Sequence, residues 1–205
     1  MKVVKNEDRW EGVYRTKAEA ETSWFEDRPQ VSLDLIAATG ATPDAAIVDI
    51  GAGSSRLVDC LLDLGFRQIT ALDLSETALA KTRARLPDNV PVTWVVGNVL
   101  DWNSSGHVDV WHDRAAFHFL TEPADQEAYL RVMDRALASG GHTIIGTFAP
   151  DGPEKCSGLP VARHDAALLA ERLGPGYRLL TSIYHDHHTP WGAVQRFHFG
   201  VFRKV

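Results

Sequence analysis

The chain has 205 residues, of which 44% are hydrophobic and 23% charged, with a formal net charge of −6. That length fits one domain with a substantial core, the composition excludes a disordered chain, and the acidic balance speaks against a general nucleic-acid or membrane-surface binder, whose phosphate contacts need clustered Lys and Arg. The opening MKVVKNEDRW offers no apolar run for a secretory signal or a membrane span, and Cys60 and Cys156 are the two cysteines, so the expectation is a cytoplasmic protein, a monomer or weak homodimer.

Residues 10–39 carry two helical patterns broken at TSWFEDRP, where Pro29 suits a first helical turn. AIVDI reads as the first strand. SRLVDCLLDLG follows as a helix with Leu57, Cys60, Leu61 and Leu64 on its apolar face, ending at Gly65. QITALDL is the second strand, and Ser75 is the expected N-cap of the helix in SETALAKTRARL. VTWVV and VDVWHD are the third and fourth strands. A helix is expected over Pro123 to Ala138, with Tyr129, Leu130, Met133 and Leu137 on one stripe and a stop at Gly140-Gly141. HTIIGTF is a fifth strand and AALLAERLG a helix. RLLTSIYHD and VQRFHFGVFRK then follow with no helix between them, joined by HHTPWGA with its Pro190 and Gly192. Repeated strand–helix units ending in such a pair predict an α/β fold: a Rossmann-like three-layer sandwich, seven-stranded mixed sheet, with an antiparallel C-terminal hairpin. The absence of a long linker predicts one domain over 1–205.

The first strand ends in DIGAGSS, and two closely spaced glycines there call for a reason beyond a turn. In doubly wound sheets ligands sit beyond the carboxyl ends of the strands, where strand order reverses. Gly51 and Gly53 lie at that place and, without Cβ atoms, let a ligand approach the main chain. Asp73 closes the second strand, where a carboxylate can accept two hydrogen bonds from a ribose diol. A dinucleotide fingerprint would need a third glycine at position 56, which is Arg56. Asp49 before the loop would repel a diphosphate but suits an ammonium group. A ligand with a ribose and an amino-acid moiety and no phosphate fits, and S-adenosylmethionine is that ligand. Arg56 likewise argues against a nicotinamide oxidoreductase.

DIGAGSS, LDLS, GNVLDW and DVWHDRAAFHFL, in this order, resemble the class I S-adenosylmethionine-dependent methyltransferases over about residues 45–150. SWF, WHDRAAFHFL, TFAPDGPEKCSGLPV and HHTPWGAVQRF are similar to a small-methyltransferase family related to thiopurine- and tellurite-resistance-type proteins and to citrate synthase lysine methyltransferases. The resemblance implies an N-terminal helical lid (1–44), a cofactor-binding core (45–150) and an acceptor-side region (151–205). It implies that Asp49, Gly51 and Gly53 line the methionine end, that Asp73 with Leu74 holds the ribose, and that Asn98 and Val99 meet adenine. The family more often has an acid at the Asn98 position; an amide oxygen there can still accept from the adenine amino group. Asp113 and Arg114 fall beside the methionine and the transferred methyl.

On the acceptor side, His118 is either a general base or a structural histidine. Arg114 either binds an acidic acceptor or pairs internally with Asp109 or Asp113. Trp24 and Phe25 belong to the lid or to helix packing. Cys156, in a loop rich in Gly and Pro, and His187, His188 and Trp191, at the hairpin turn, are the remaining substrate-wall candidates. The spacing of His185 and His187 lacks the third and fourth ligands of a metal site, so no metal is expected. HDRA after the fourth strand is not an NPPY-like tetrapeptide. The expected acceptor is a small molecule (a thiol, selenium or tellurium nucleophile) or a protein lysine, with a non-catalytic cofactor-binding sensor or assembly module as the alternative.

Overall fold

The computed structural model describes residues 2–205, with side chains from Glu7 onward. Helix α1 (Lys2–Thr16) and helix α2 (Gln30–Ala38) precede the sheet, separated by a short 3-10 turn at Glu19–Glu21. The sheet strands are β1 (Ala46–Ile50), β2 (Gln68–Asp73), β3 (Val92–Val96), β4 (Val108–Arg114), β5 (Leu137–Phe148), β8 (Tyr177–His188) and β9 (Val194–Lys204). Between β5 and β8 lies a small ribbon of β6 (Lys155–Cys156) and β7 (Leu159–Pro160). Helices α3 (Leu57–Asp63), α4 (Glu76–Arg85), α5 (Pro123–Ala136) and α6 (Ala166–Leu173) complete the layers.

The seven-stranded sheet has the order β3-β2-β1-β4-β5-β9-β8, and β9 pairs antiparallel with both β5 and β8. Strand order reverses between β1 and β4, so the cleft over their carboxyl ends is the expected ligand position. One face of the sheet packs Ile47, Ile69 and Ile144 against Leu33 and Ile36 of α2, Leu57 and Leu61 of α3 and Leu79 of α4. The other packs Val48, Ile50 and Trp111 against Tyr129, Val132 and Met133 of α5, with Leu169 of α6 near Phe202. Alternation in β1 and β4 thus feeds two cores, as a doubly covered sheet requires.

Local chemistry explains the element ends. Ser75 Oγ accepts from Ala78 N–H at 3.1 Å and starts α4, and Gly65 follows α3 at φ +86°. Two expectations need correction. Helix α5 ends at Ala136, and β5 begins at Leu137 and runs straight through Gly140-Gly141. Its partners shift from Val108↔Leu137 to Val110↔His142, so the glycines form a bulge inside the strand, with Gly140 at φ +77°. Pro29 is the residue before α2 rather than its first turn. The β6–β7 ribbon turns at Ser157 and Gly158, both at positive φ, which is the type I′ geometry of tight hairpins.

Candidate active site

A cavity of about 240 Å³ opens over the carboxyl ends of β1, β2 and β4, under α1. Its wall joins Gly51, Asp73, Leu74, Asn98 and Val99 to Trp10, Tyr14, Trp24, Phe119, Arg114 and Cys156.

The glycine turn is built by close approach. Gly51 (φ +65°) and Gly53 (φ +56°) adopt left-handed backbone that disfavours a side chain. A Cβ on Gly51 would meet the Cβ of Ala116 at 2.7 Å, and one on Gly53 would collide with the Tyr14 hydroxyl. The space that the sequence reserves at Gly53 is therefore taken by a residue of α1, and that at Gly51 by the segment leaving β4. Gly51 lies on the cavity wall, whereas Gly53 stands behind the phenol.

Asp73 anchors this region. One carboxylate oxygen accepts from Gly53 N–H and the other from Ser75 N–H, both at 2.8 Å. Burial pushes its carboxyl up to about 6, against the pull of those N–H groups. Beyond it, Leu74, Gly97, Val99 and Leu100 make an apolar slot. Asn98 Oδ1 already accepts from Leu100 N–H at 3.0 Å and caps the turn after β3, which leaves that oxygen one further lone pair.

Several expected site residues stand elsewhere. Asp49 is not on the wall: its carboxylate meets His112 Nδ1 at 2.7 Å, and His112 Nε2 meets Ser32 Oγ at 2.9 Å, all buried behind β1. Asp113 is not on the wall either. It accepts from Ala116 N–H at 3.0 Å, Phe117 N–H at 3.0 Å and the Tyr129 hydroxyl at 2.6 Å, and so caps the turn after β4. His118 has no exposed surface and packs edge-on against Phe119 and Phe148 at 4.4 and 4.9 Å. Neither ring nitrogen has a hydrogen-bond partner, and burial drives its pKa down to about 3. The ring is sealed from the cavity wall and has a depressed affinity for a proton, which supports the structural reading of His118 over the base reading.

Arg114 does face the cavity, but it pairs with neither Asp109 nor Asp113. It donates to the Trp24 carbonyl at 3.0 Å, lies 3.3 Å from Glu26 Oε1 and covers the Phe197 ring at 5.2 Å. His187 is buried and binds the Ser23 carbonyl at 2.7 Å and Glu26 at 3.2 Å, holding the Ser23–Glu26 segment in place instead of meeting substrate. Phe25 and His188 border a separate shallow depression, and Trp191 is 61% exposed at the hairpin turn. Of the acceptor-side candidates, Trp24, Arg114 and Cys156 reach the wall. Among the described residues no group of three His, Cys, Asp or Glu is placed to hold a metal ion, and no helix is long and apolar enough to cross a membrane.

Trp10, Tyr14 and Phe119 were not singled out from the sequence. The available signal was two aromatic residues one turn apart on α1, which put Trp10 and Tyr14 on one helix face. Polar contacts from α1 reach the start of α4 and the turn of the β6–β7 ribbon. Glu11 accepts from Ser75 Oγ at 2.7 Å and from Thr77, and Arg9 donates to the Ser157 carbonyl. Arg56, in the place of a fingerprint glycine, ion-pairs with Glu19 of the following turn at 3.2 Å.

Residues 47–141 match the model of a methyltransferase domain. A zebrafish (Danio rerio) eEF1A lysine and N-terminal methyltransferase is 31% identical over 151 residues, which are 70% of this chain and 21% of that protein. A ubiquinone biosynthesis O-methyltransferase of Xanthomonas campestris pv. campestris is 29% identical over 61% of this chain and 55% of its own. The chain thus spans a fifth to about half of these curated relatives' length. The structure of Burkholderia thailandensis 1,6-didemethyltoxoflavin-N1-methyltransferase, with bound 1,6-didemethyltoxoflavin and S-adenosylhomocysteine, superposes with a TM-score of 0.71 at 22% identity, covering 98% of this chain and 85% of that one. Sheet order, the glycine turn with its buried carboxylate, and the match over residues 47–141 agree: the chain carries a methyltransferase domain with the Rossmann-like fold of S-adenosylmethionine-dependent methyltransferases.

Proposed function

We propose that this chain transfers the methyl group of S-adenosylmethionine to a small-molecule nucleophile received under α1. The observation that carries this reading is the single cavity whose wall joins Asp73 and its apolar slot to the aromatic cluster of Trp10, Trp24 and Phe119. The donor set fits the cofactor: a buried carboxylate for a ribose diol, Leu74, Val99 and Leu100 for a flat base, and exposed main chain at Gly51. When bound, the cofactor supplies a methyl group already activated on a sulfonium.

The protein's share is then alignment and exclusion of water. Holding reacting atoms in near-attack geometry contributes roughly 7–11 kcal/mol. Among the described residues the cavity wall also holds the carboxylates Glu122 and Asp125, while Tyr14, Cys156 and Arg114 are the polar groups beside the aromatic cluster. Burial raises the Tyr14 phenol well above its ordinary value and pushes the Cys156 thiol up to about 11, and Arg114 is a cation tied to Glu26. The acceptor therefore brings its own lone pair, as a thiolate, a selenide or an uncharged ring nitrogen does at neutral pH. A lysine ammonium would first need a base, a task that neither the Tyr14 phenol nor the Cys156 thiol suits.

Radiolabelled methyl transfer into cell lysate, split into small-molecule and protein fractions, tests the reading. Label in the small-molecule fraction is expected. Label in protein alone would move the acceptor to a protein side chain, in the manner of the zebrafish relative's name. Tight cofactor binding with no label in either fraction would favour a non-catalytic sensor.

A further inference from the structure

Four aromatic rings meet above the glycine turn, and all four line the cavity. Trp10 stands edge-to-face with Trp24 at 5.8 Å and with Phe119 at 5.0 Å, and Tyr14 with Trp24 at 6.1 Å. The Tyr14 hydroxyl rests against Gly53, within the field of the buried Asp73 and Asp49 carboxylates. Among the described residues the cation in this wall is Arg114, and it is committed to Glu26 and the Trp24 carbonyl. Aromatic faces, a phenol oxygen and nearby carboxylates all favour a positive charge in the space they enclose.

Taking the cofactor reading above as given, the charge available there is the sulfonium, which joins the ribose held at Asp73 to the amino-acid end at Gly51. We propose that Trp10, Tyr14, Trp24 and Phe119 form a cage that reads this charge, gripping the methyl-donor form of the cofactor and releasing the spent form. On transfer the acceptor's lone pair forms the new bond to carbon. The old carbon–sulfur pair stays on sulfur, which becomes a neutral thioether. The cage then loses its cation, and α1, which carries Trp10 and Tyr14 of the cage, loosens. The same helix that shapes the acceptor site thereby senses whether the methyl has left.

Binding measurements test this without knowledge of the acceptor. Calorimetry would compare the wild type with Trp10→Leu and Tyr14→Phe, using S-adenosylmethionine, S-adenosylhomocysteine and sinefungin, which carries an ammonium near the sulfonium position. Trp10→Leu should weaken the two cationic ligands about tenfold and the neutral one by less than about twofold. Tyr14→Phe, which keeps the ring, should shift the same ratio in the same direction. In the wild type, amide exchange in α1 should be slower with S-adenosylmethionine than with S-adenosylhomocysteine, each at saturation. Equal losses for all three ligands, or equal protection of α1, would overturn the cage. Should Trp10→Leu fail to fold, Tyr14→Phe and the wild-type exchange decide. A wild type that binds none of the three would overturn the cofactor reading itself.

Discussion

Cofactor affinity should depend on pH through one carboxyl group, Asp73. Its pKa lies at about 6 in the folded, empty protein because burial outweighs the N–H groups of Gly53 and Ser75. A ribose diol needs the ionised form, since charge-assisted hydrogen bonds contribute about 1.5–3 kcal/mol each against about 0.5–1.5 for neutral ones. Affinity should therefore be flat above pH ~7 and fall toward tenfold per unit below pH ~6. Stability should run the other way. An acid whose folded pKa is raised favours the folded state when protonated, so the empty protein gains up to about 3 kcal/mol from this group as pH falls from about 7 to about 4. Asp73→Asn keeps one acceptor oxygen and removes the titration. Calorimetry from pH ~8 to ~5, with urea unfolding at the same values, should show both slopes reduced by one proton in the variant. A wild-type affinity that is level down to pH ~5, or a variant with the wild-type slope, would refute this account of Asp73.

His118→Leu should leave methyl transfer within about twofold and stability equal or higher, since an unpartnered buried polar ring costs about 1–3 kcal/mol; a hundredfold loss of turnover at unchanged cofactor affinity would restore the base role. The same variant should flatten acid destabilisation. A histidine held at about 3 when folded leaves the unfolded chain binding the extra proton below its ordinary value of about 6.5, a loss of about 1.4 kcal/mol per pH unit that urea titrations of the two proteins would resolve. Gly53→Ala should destabilise by about 1–3 kcal/mol through its positive φ and the Tyr14 clash, and speed proteolysis within α1. Adding Tyr14→Phe should recover part of that loss, and strict additivity of the two changes in thermal unfolding would mean the phenol is not what Gly53 accommodates.

The sheet was legible because β1, β2 and β4 are short apolar runs cut off by glycine, Ser75 or a charged pair, all of which are local signals. The glycine turn and Asp73 were legible for the same reason. Asp49, Asp113 and His118 were not, because a sequence position beside the cleft does not say which way the side chain turns. Asp49 turns to His112 and Ser32, Asp113 to the N–H groups that follow it, and His118 into Phe119 and Phe148. Each choice is made by partners distant in sequence or by the curl of the chain after β4. The bulge at Gly140-Gly141 misled in another way: paired glycines after a helical stripe are the usual stop signal, and only the register against β4 turns them into strand.

The clamp of His187 and Arg114 on the Ser23–Glu26 segment has a consequence for the order of assembly. His187 lies on β8, and β8 reaches the sheet only through β9, which inserts between it and β5. The segment carrying Trp24 is thus fastened by a strand that lies more than 160 positions away in sequence, at |i−j| = 164 for His187 and Ser23. Contacts of that span form late, after the loop-closure cost has been met elsewhere. During synthesis the β1–β4 half can pair, cap its helices and seat Glu11 of α1 on Ser75 while the Trp24 segment still lacks its His187 anchor. A ribosome-bound chain halted before Val194 should therefore present the glycine turn and Asp73 without a fastened roof, and exchange cofactor faster than the released protein.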